Sequence, residues 1–311
     1  MMCPVCQSSA IQVLYHDVAD YVTGDTFNVC QCSTCSVAFT APQPEDVGRY
    51  YQKQYRRYVG VVLYILKTLY GIRSRQWSRM FSQPGTVLEV GCGDGYMLNS
   101  LRGQGWTAVG IERTPEMAEF ARTQLGLEVY STGVQDIPNN QKFDAIILFQ
   151  VLEHIAEPLT MLQEVAKRLT PNGKLIIGVP NFDSWQRVFA GKYWFHLDIP
   201  RHLVHFSPYS LEQALKLAGM TIERIRYASV EHDPYGWLQS VLNRLFSNNN
   251  HLTRILMRMD RPSMRGALSL LFAIVFFIPA VVCSLMSWMM KKGAMMEVVA
   301  VKVSAQFSEG S

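Results

Sequence analysis

Thr86-Val87-Leu88-Glu89-Val90-Gly91-Cys92-Gly93-Asp94-Gly95 is an apolar run that enters a turn with glycine at alternate positions. The nearly unbroken apolar residues predict a strand covered on both faces, as in the parallel sheet of an α/β protein. Gly91, Gly93 and Gly95 allow the main chain to turn tightly and to approach a ligand where a Cβ would clash. Helical pattern resumes at Tyr96-Met97-Leu98-Asn99-Ser100-Leu101, so the first helix starts at that ligand. The next apolar run, Thr107-Ala108-Val109-Gly110-Ile111, closes on Glu112. An acid about 20 residues past the glycines can accept both hydroxyls of a ribose.

Glycines alone would also fit a dinucleotide oxidoreductase, but three details point to S-adenosylmethionine (SAM). The turn reads E-x-G-x-G-x-G rather than G-x-G-x-x-G. Asp136 follows the third predicted strand, where an adenine contact is expected. The fourth strand, Phe143-Asp144-Ala145-Ile146-Ile147-Leu148, runs into Phe149-Gln150-Val151-Leu152-Glu153-His154. As a set these resemble the Rossmann-like (class I) SAM-dependent methyltransferases, in particular a bacterial group with V-L-E-V-G-C-G-x-G and V-L-E-H motifs. The resemblance covers residues 84–235 and 294–304. It implies a seven-stranded α/β sheet, with Glu89, Gly91, Gly93 and Gly95 at the methionine end of SAM. It also implies Glu112 on the ribose, Asp136 near the adenine, and Phe149 and Gln150 beside the sulfonium. Cys92 reads as a small residue filling the turn, and His154 as a group that orients the following turn.

Seven cysteines and no apolar N-terminal leader suggest a reducing cytoplasm rather than a secreted disulfide framework. Four of them, Cys3, Cys6, Cys32 and Cys35, form two C-x2-C knuckles with the spacing of a zinc ribbon. Four thiolates leave no open coordination position, so the expected Zn2+ is structural. Cys30 is an alternative to Cys32 with poorer spacing. Ile11-Gln12-Val13-Leu14-Tyr15 and Thr26-Phe27-Asn28-Val29 read as short strands, and Ala41-Pro42-Gln43-Pro44 as the linker. Five units are expected: a ribbon at 1–44, a basic and apolar helical connector at 45–83, a SAM-binding core at 84–235, a helical insert at 236–293, and a last strand and tail at 294–311.

Charge is unevenly placed. The whole chain is +4, yet residues 49–79 hold eight bases, Lys53, Arg56, Arg57 and Arg73 among them, and no acid. Residues 236–293 hold seven bases, including Arg258, Arg261, Arg265, Lys291 and Lys292, against Asp260 alone. The remainder is net acidic, which disfavours a nucleic-acid partner. Both basic segments are also apolar: the first contains the run from Tyr58 to Leu66, and residues 266–290 carry no charge at all. Such a stretch is long enough to span a bilayer. The sixth and seventh strands, Thr221-Ile222-Glu223-Arg224-Ile225-Arg226-Tyr227 and Glu297-Val298-Val299-Ala300-Val301-Lys302-Val303, flank the insert and are neighbours in this fold, so the insert must leave and return on one side. Pro279 lies mid-run, where proline kinks or breaks a helix. The expectation is a monotopic hairpin on the inner membrane. Two apolar stripes, Trp237, Leu238, Val241, Leu242, Leu245 and Leu252, Ile255, Leu256, Met259, form surface helices before it. A buried helical pair or a dimer interface is the alternative, and a homo-oligomer fits the latter.

The acceptor site is expected after the fourth and fifth strands, at the carboxyl edge of the sheet. The fifth strand, Gly173-Lys174-Leu175-Ile176-Ile177-Gly178-Val179-Pro180-Asn181, is followed by an aromatic loop ending Pro200-Arg201-His202-Leu203-Val204-His205-Phe206-Ser207. P-R-H-L-x-H-F-S is also a motif of the resembling group. His202 is the expected general base, with His205 second and Arg201 for an anionic acceptor group; a loop lock by the histidines, or metal binding by His196, His202 and His205, is the alternative. The function expected is methyl transfer to a small or lipid-linked acceptor (a sugar, saccharide or quinone-like group) at a membrane surface. RNA methylation and a non-catalytic SAM-binding scaffold are the alternatives. Against RNA stands Phe149-Gln150-Val151-Leu152 in place of the N/D-P-P-Y/F used on base amino groups.

Overall fold

The structure, a computed structural model, describes residues 1–51, 60–138, 140–246, 250–256 and 263–303. Lys53, Arg56, Arg57, Tyr58 and Val59 of the first basic segment lie outside the described residues, as do Arg258, Met259, Asp260 and Arg261 of the second.

The chain opens with strands β1 (Ile11–Ala19), β2 (Thr26–Cys32) and β3 (Ala38–Ala41), followed by helix α1 (Gly60–Ser78). An alternating series comes next: β4 (Thr86–Val90), α2 (Tyr96–Arg102), β5 (Thr107–Ile111), α3 (Pro115–Leu125), β6 (Glu128–Tyr130), β7 (Phe143–Phe149), α4 (Pro158–Arg168) and β8 (Leu169–Pro180). The second half holds α5 (Trp185–Ala190), β9 (Val204–His205), α6 (Pro208–Leu217), β10 (Met220–Arg226), α7 (Asp233–Leu245), α8 (His251–Leu256), α9 (Met264–Met289) and β11 (Met295–Lys302).

The larger sheet has seven strands in the order β10-β11-β8-β7-β4-β5-β6. β4, β5, β6, β7 and β8 pair in parallel, while β11 is antiparallel to both β8 and β10. The expected seven-stranded α/β sheet is thus present, and its last two strands are neighbours. Its central strands are apolar because helices cover both faces: Leu88, Ile146, Leu148 and Ile177 are fully buried on one side, and Val87, Leu98 and Leu101 pack on the other.

The smaller sheet runs β1-β2-β3-β9, so a strand from the aromatic loop completes the ribbon. Ala41, expected in the linker, closes β3 and pairs with Asn28. The ribbon also shares a core with the loop: Val18, Phe27 and Val29 pack with Phe182, Trp194 and Leu197.

The insert corrects the hairpin expectation. α9 is one 26-residue helix that passes through Pro279, about 39 Å long at 1.5 Å per residue. Pro279 sits on the exposed side, so the carbonyl that loses its helical donor is not forced into the protein interior. The stripes before it are corrected too. Leu238, Leu242 and Leu252 are buried against Ala280 of α9 rather than free for a membrane. α9 itself buries small residues, Gly266, Ser269, Ala280, Ser284 and Ser287. Its large apolar side chains, such as Ile274, Ile278, Leu285 and Met289, are exposed.

Candidate functional site

The cofactor edge is made mainly by backbone. Gly91 and Cys92 both donate to the Ile111 carbonyl, at 2.7 and 3.0 Å, which folds the turn over the end of β5. Gly91, Gly93 and Gly95 all have positive φ, the region where a side chain is strained. Their surroundings differ. A Cβ on Gly91 would lie 2.6 Å from Val151, and one on Gly95 2.6 Å from Leu127, whereas Gly93 has nothing closer than Met117 at 4.0 Å. Gly91 and Gly95 therefore serve close packing as well as the turn, and Gly93 opens outward.

Glu112 is buried and held by the turn itself: Gly93 N–H donates to one oxygen at 2.9 Å and Thr114 N–H to the other at 2.7 Å. Each oxygen keeps a lone pair for a further donor such as a hydroxyl. Glu89 is enclosed, one of its oxygens has no partner, and burial pushes its pKa up to about 8. Burial without a partner favours the neutral acid over the carboxylate. Asp136 is exposed, on a short turn where it accepts the Gly133 N–H at 2.9 Å. Gln150 stands at φ 58°, tied to the Gly178 carbonyl by its N–H at 2.8 Å and its side chain at 3.2 Å.

Phe149 faces α1. Its ring lies 5.9 Å from Trp77, and the Arg73 guanidinium sits 4.4 Å above it. Arg73 pairs with Glu231 at 2.5 Å and Glu297 at 3.7 Å, yet one buried terminal nitrogen has no partner. Arg73 is a buried cation beside the candidate site that sequence reasoning did not single out. The available signal was its spacing from Trp77, which puts a cation one helical turn from a core aromatic.

The second edge is the loop after β8. His202 Nδ1 lies 2.9 Å from the His196 carbonyl, so it carries the proton and leaves Nε2 basic. His154 is arranged likewise, with Nδ1 2.9 Å from the Arg201 carbonyl. The two rings meet edge to face at 4.7 Å. Burial lowers both pKa values, that of His202 to about 4. Glu153 is buried beside them with both oxygens unpartnered, and burial raises it to about 8. Facing atoms of Glu153, His154 and His202 lie within 4.8 Å of one another, a set able to share a proton or hold a cation.

His205 points elsewhere. It stacks on Phe182 at 5.6 Å and approaches the Thr40 hydroxyl at 3.2 Å, while burial lowers its pKa to about 3. Thr40 Oγ1 donates to the His202 carbonyl at 2.7 Å, so it accepts from His205 Nε2. Arg201 is enclosed by this chain's own groups: Asp20 and Asp198, each at 2.8 Å, and the Tyr50 carbonyl at 2.9 Å. The structure thus brings Arg201, His202 and His205 to the ribbon, and sets His202 against His154 of the fourth-strand motif. In the chain, Gln150 of the cofactor edge and His154 of the histidine edge belong to one short segment after β7.

In the ribbon, Cys3, Cys32 and Cys35 share a buried cluster with Leu203, Val204 and Phe206 of the loop, and Cys3, Cys6, Cys32 and Cys35 place their sulfurs within 4.8 Å of one another, with Cys3–Cys35 and Cys6–Cys32 at 3.5 Å. A ZnS4 tetrahedron with 2.3 Å bonds has edges of about 3.8 Å, so the donor set fits the ion. Val5 and Cys6 N–H groups point at the Cys3 sulfur, at 3.4 and 3.5 Å. Cys30 belongs to a separate cluster with Phe39 and Ala41.

A methyltransferase domain family model matches residues 64–225. Among curated proteins, the chain is 34% identical to a ubiquinone biosynthesis O-methyltransferase of Actinobacillus pleuropneumoniae over 106 residues, covering 30% of this chain and 45% of that one. The corresponding Xanthomonas axonopodis protein is 28% identical over 154 residues, 45% of this chain and 64% of that one. The chain spans about half the length of the curated relatives it matches. A solved SAM-dependent methyltransferase from Archaeoglobus fulgidus superposes with a TM-score of 0.48 at 14% identity, over 76% of this chain and 94% of that one. Magnesium protoporphyrin IX methyltransferase from Synechocystis, solved with bound S-adenosylhomocysteine, gives 0.45 at 17% identity, over 57% and 84%.

Proposed function

Since the chain belongs to the methyltransferase domain family, we propose that it transfers the SAM methyl to a small or lipid-linked acceptor, sugar or quinone-like, at a membrane surface. The observation that carries the reading is the paired edge: a glycine turn with two prepared carboxylates, one short stretch of chain away from two neutral histidines.

SAM supplies an electrophilic methyl on a positive sulfur. In this proposal the outward-facing Gly93 and the anchored Glu112 take the ribose, and Asp136 takes the adenine edge. Glu89 and the unpartnered nitrogen of Arg73 take the ammonium and carboxylate of the methionine part, each losing an unsatisfied buried group. Phe149 and Gln150 line the sulfonium. His202, neutral at physiological pH, removes the acceptor proton through Nε2, directly or by way of His154. Arg201 and His205 act by positioning the loop rather than by touching the acceptor, since their polar atoms already have partners within the chain. The four cysteines hold a structural Zn2+ through thiolates, which fixes the ribbon against the loop.

Support for the membrane surface is the exposed apolar side of α9, a 26-residue helix long and apolar enough to cross a membrane. Because β11 returns to the sheet after α9, the helix lies along the surface of the protein body and would enter the bilayer from one side.

The decisive experiment incubates purified protein with labelled SAM and a total lipid extract, followed by mass spectrometry of labelled products. A methylated amphiphile is the expected product. Label found only in soluble metabolites would exclude the lipid-linked acceptor, and no heat on titrating S-adenosylhomocysteine would exclude the cofactor site.

A further inference from the structure

A cleft of ≈ 460 Å³ opens where the ribbon, the loop after β8, the start of α6 and the C-terminal end of α9 meet. Its charged lining is Arg187, Lys291 and Lys292 against a single carboxylate, Asp183. Lys292 pairs with Asp183, so Arg187 and Lys291 provide the net positive charge. Tyr209 and Tyr227 add hydroxyl groups to the same wall.

The Arg187 guanidinium is held in place, and Lys291 is fixed at its backbone. Arg187 Nε donates to the Phe182 carbonyl at 2.7 Å, and its guanidinium lies 4.7 Å over the Phe182 ring. Lys291 occupies the left-handed region at φ 57°, where its N–H closes the end of α9 on the Trp288 carbonyl at 3.1 Å. Helices commonly place glycine at such a terminus because a Cβ is strained there. A lysine in its place carries charge to that point at a conformational penalty.

Two neighbours define what the cleft would take. On one side, the exposed residues Ile274, Ile278, Val282, Leu285 and Met289 recur every three or four positions along α9 and run directly into Met290 and Lys291. Apolar stripe followed by cations is the profile of a surface that meets acyl chains first and phosphates next. On the other side, Phe182 is shared: Arg187 covers its ring, and His205 stacks on it at 5.6 Å. The cleft is therefore one aromatic ring away from the histidine loop. A planar guanidinium fork beside a point-charge ammonium suits phosphate oxygens.

We propose that this cleft binds the phosphate of a membrane amphiphile, with Arg187 and Lys291 as its ligands, and so orients a lipid-linked acceptor toward the histidine loop. The inference rests on the membrane-surface reading above and deepens it by giving the acceptor's anionic group a place.

The test uses the full chain with S-adenosylhomocysteine bound. Sedimentation is measured with vesicles of phosphatidylcholine alone, with added phosphatidic acid, or with added oleate at matched surface charge. Wild type should favour phosphatidic acid over oleate about tenfold or more. Arg187→Ala/Lys291→Ala should abolish that preference, retain binding to phosphatidylcholine, and keep its affinity for S-adenosylhomocysteine. Lys142→Ala/Lys167→Ala, a charge-matched control with one lysine just before β7 and one on α4, should behave as wild type. Equal binding to phosphatidic acid and oleate, or a preference that survives the double variant, overturns the proposal. Inorganic pyrophosphate, titrated by calorimetry, separates the remaining cases. If wild type ignores every vesicle but binds pyrophosphate through Arg187 and Lys291, the phosphate comes from a soluble compound and the membrane reading fails. If neither vesicles nor pyrophosphate bind, both fail, while the cofactor site stands or falls on its own titration.

Discussion

The two edges of the site are built in opposite ways. The heart of the cofactor edge is local: the turn after β4 and the turn after β5, with Glu112 and Thr114, lie within a short stretch of chain, and main-chain N–H groups hold the carboxylate. The histidine edge is assembled from distant chain. Thr40 reaches His202 and His205 across 162 and 165 positions, Arg201 reaches Asp20, and β9 pairs with β3. A local unit forms its contacts at low entropic expense, whereas the long-range one depends on the ribbon being folded. Methyl-donor binding and methyl transfer should therefore fail separately.

The severest way to break this comparison is to remove the ribbon's expected metal. Cys32→Ser, or chelation of wild type, should reduce methyl transfer to a lipid extract by at least about a thousandfold, because metal-stabilised folding of such small units is worth many kcal/mol. The affinity for S-adenosylhomocysteine, read by calorimetry, should change by only about threefold, less than 1 kcal/mol. Parallel loss of both would show that the edges are one cooperative unit.

The next largest effect concerns the base. His202→Ala should lower turnover about 10²–10⁴-fold, again with the donor still bound. With His202 near 4 and His154 below its usual value, the acid limb of the rate profile should lie below the ordinary histidine range near 6.5. Stability should follow the same residues. His196, His202 and His205 stay neutral in the fold down to about 3, 4 and 3. Below about pH 6.5 the unfolded chain binds protons that the folded chain refuses, so the stability present above that pH is lost as pH falls toward 4. Because Glu89 and Glu153, raised to about 8, take up protons in the fold over the same range and act in the opposite sense, the check is a comparison of thermal melts between pH 7 and 4.5 for wild type and His205→Asn; an identical pH dependence in the two would remove that histidine from the account.

What was legible in the sequence divides along the same line. The strand, the glycine turn and Glu112 declare themselves because spacing alone fixes local geometry. The two knuckles do so because their spacing puts two cysteines on each of two turns of one small ribbon, which brings all four together. The partners of Arg201 and His205 were not legible: no local pattern says that Asp20 or Thr40 comes to them, and a two-residue strand such as β9 has no periodicity to read. Pro279 was read as a breaker because intrinsic propensity favours that outcome, and packing of Ala280 and the serines of α9 on α7 and α8 overrides it. Arg73 reads only as one base of a segment without acids, because its partners, Glu231 and Glu297, are distant in sequence.

The cofactor edge offers a complementary break. Glu112→Ala removes the charged acceptor for two hydroxyls and should weaken S-adenosylhomocysteine about 30–100-fold, some 2–3 kcal/mol. Glu89 supplies a subtler signature. With a folded pKa of about 8, it is mostly protonated at pH 7. An arriving ammonium should ionise it and release nearly one proton. Calorimetry in two buffers of different ionisation enthalpy measures that release, and Glu89→Gln should abolish it. Proton release of the same size in the variant would assign the signal to another group.

The smallest expected effect is the sharpest test of the division. Thr40→Val keeps volume but removes the hydroxyl that donates to the His202 carbonyl and accepts from His205. Losing one such buried network contact typically removes about 1–2 kcal/mol, so turnover should fall roughly tenfold. Thr40 lies in β3 of the ribbon, and its hydroxyl is bonded to the histidine loop. If the histidine edge is positioned from the ribbon, the loss appears in turnover with donor affinity and proton release unchanged. If the donor affinity falls with it, the strain has crossed from β9 through the stretch between Gln150 and His154, and the two edges are coupled through the very segment that links them in the chain.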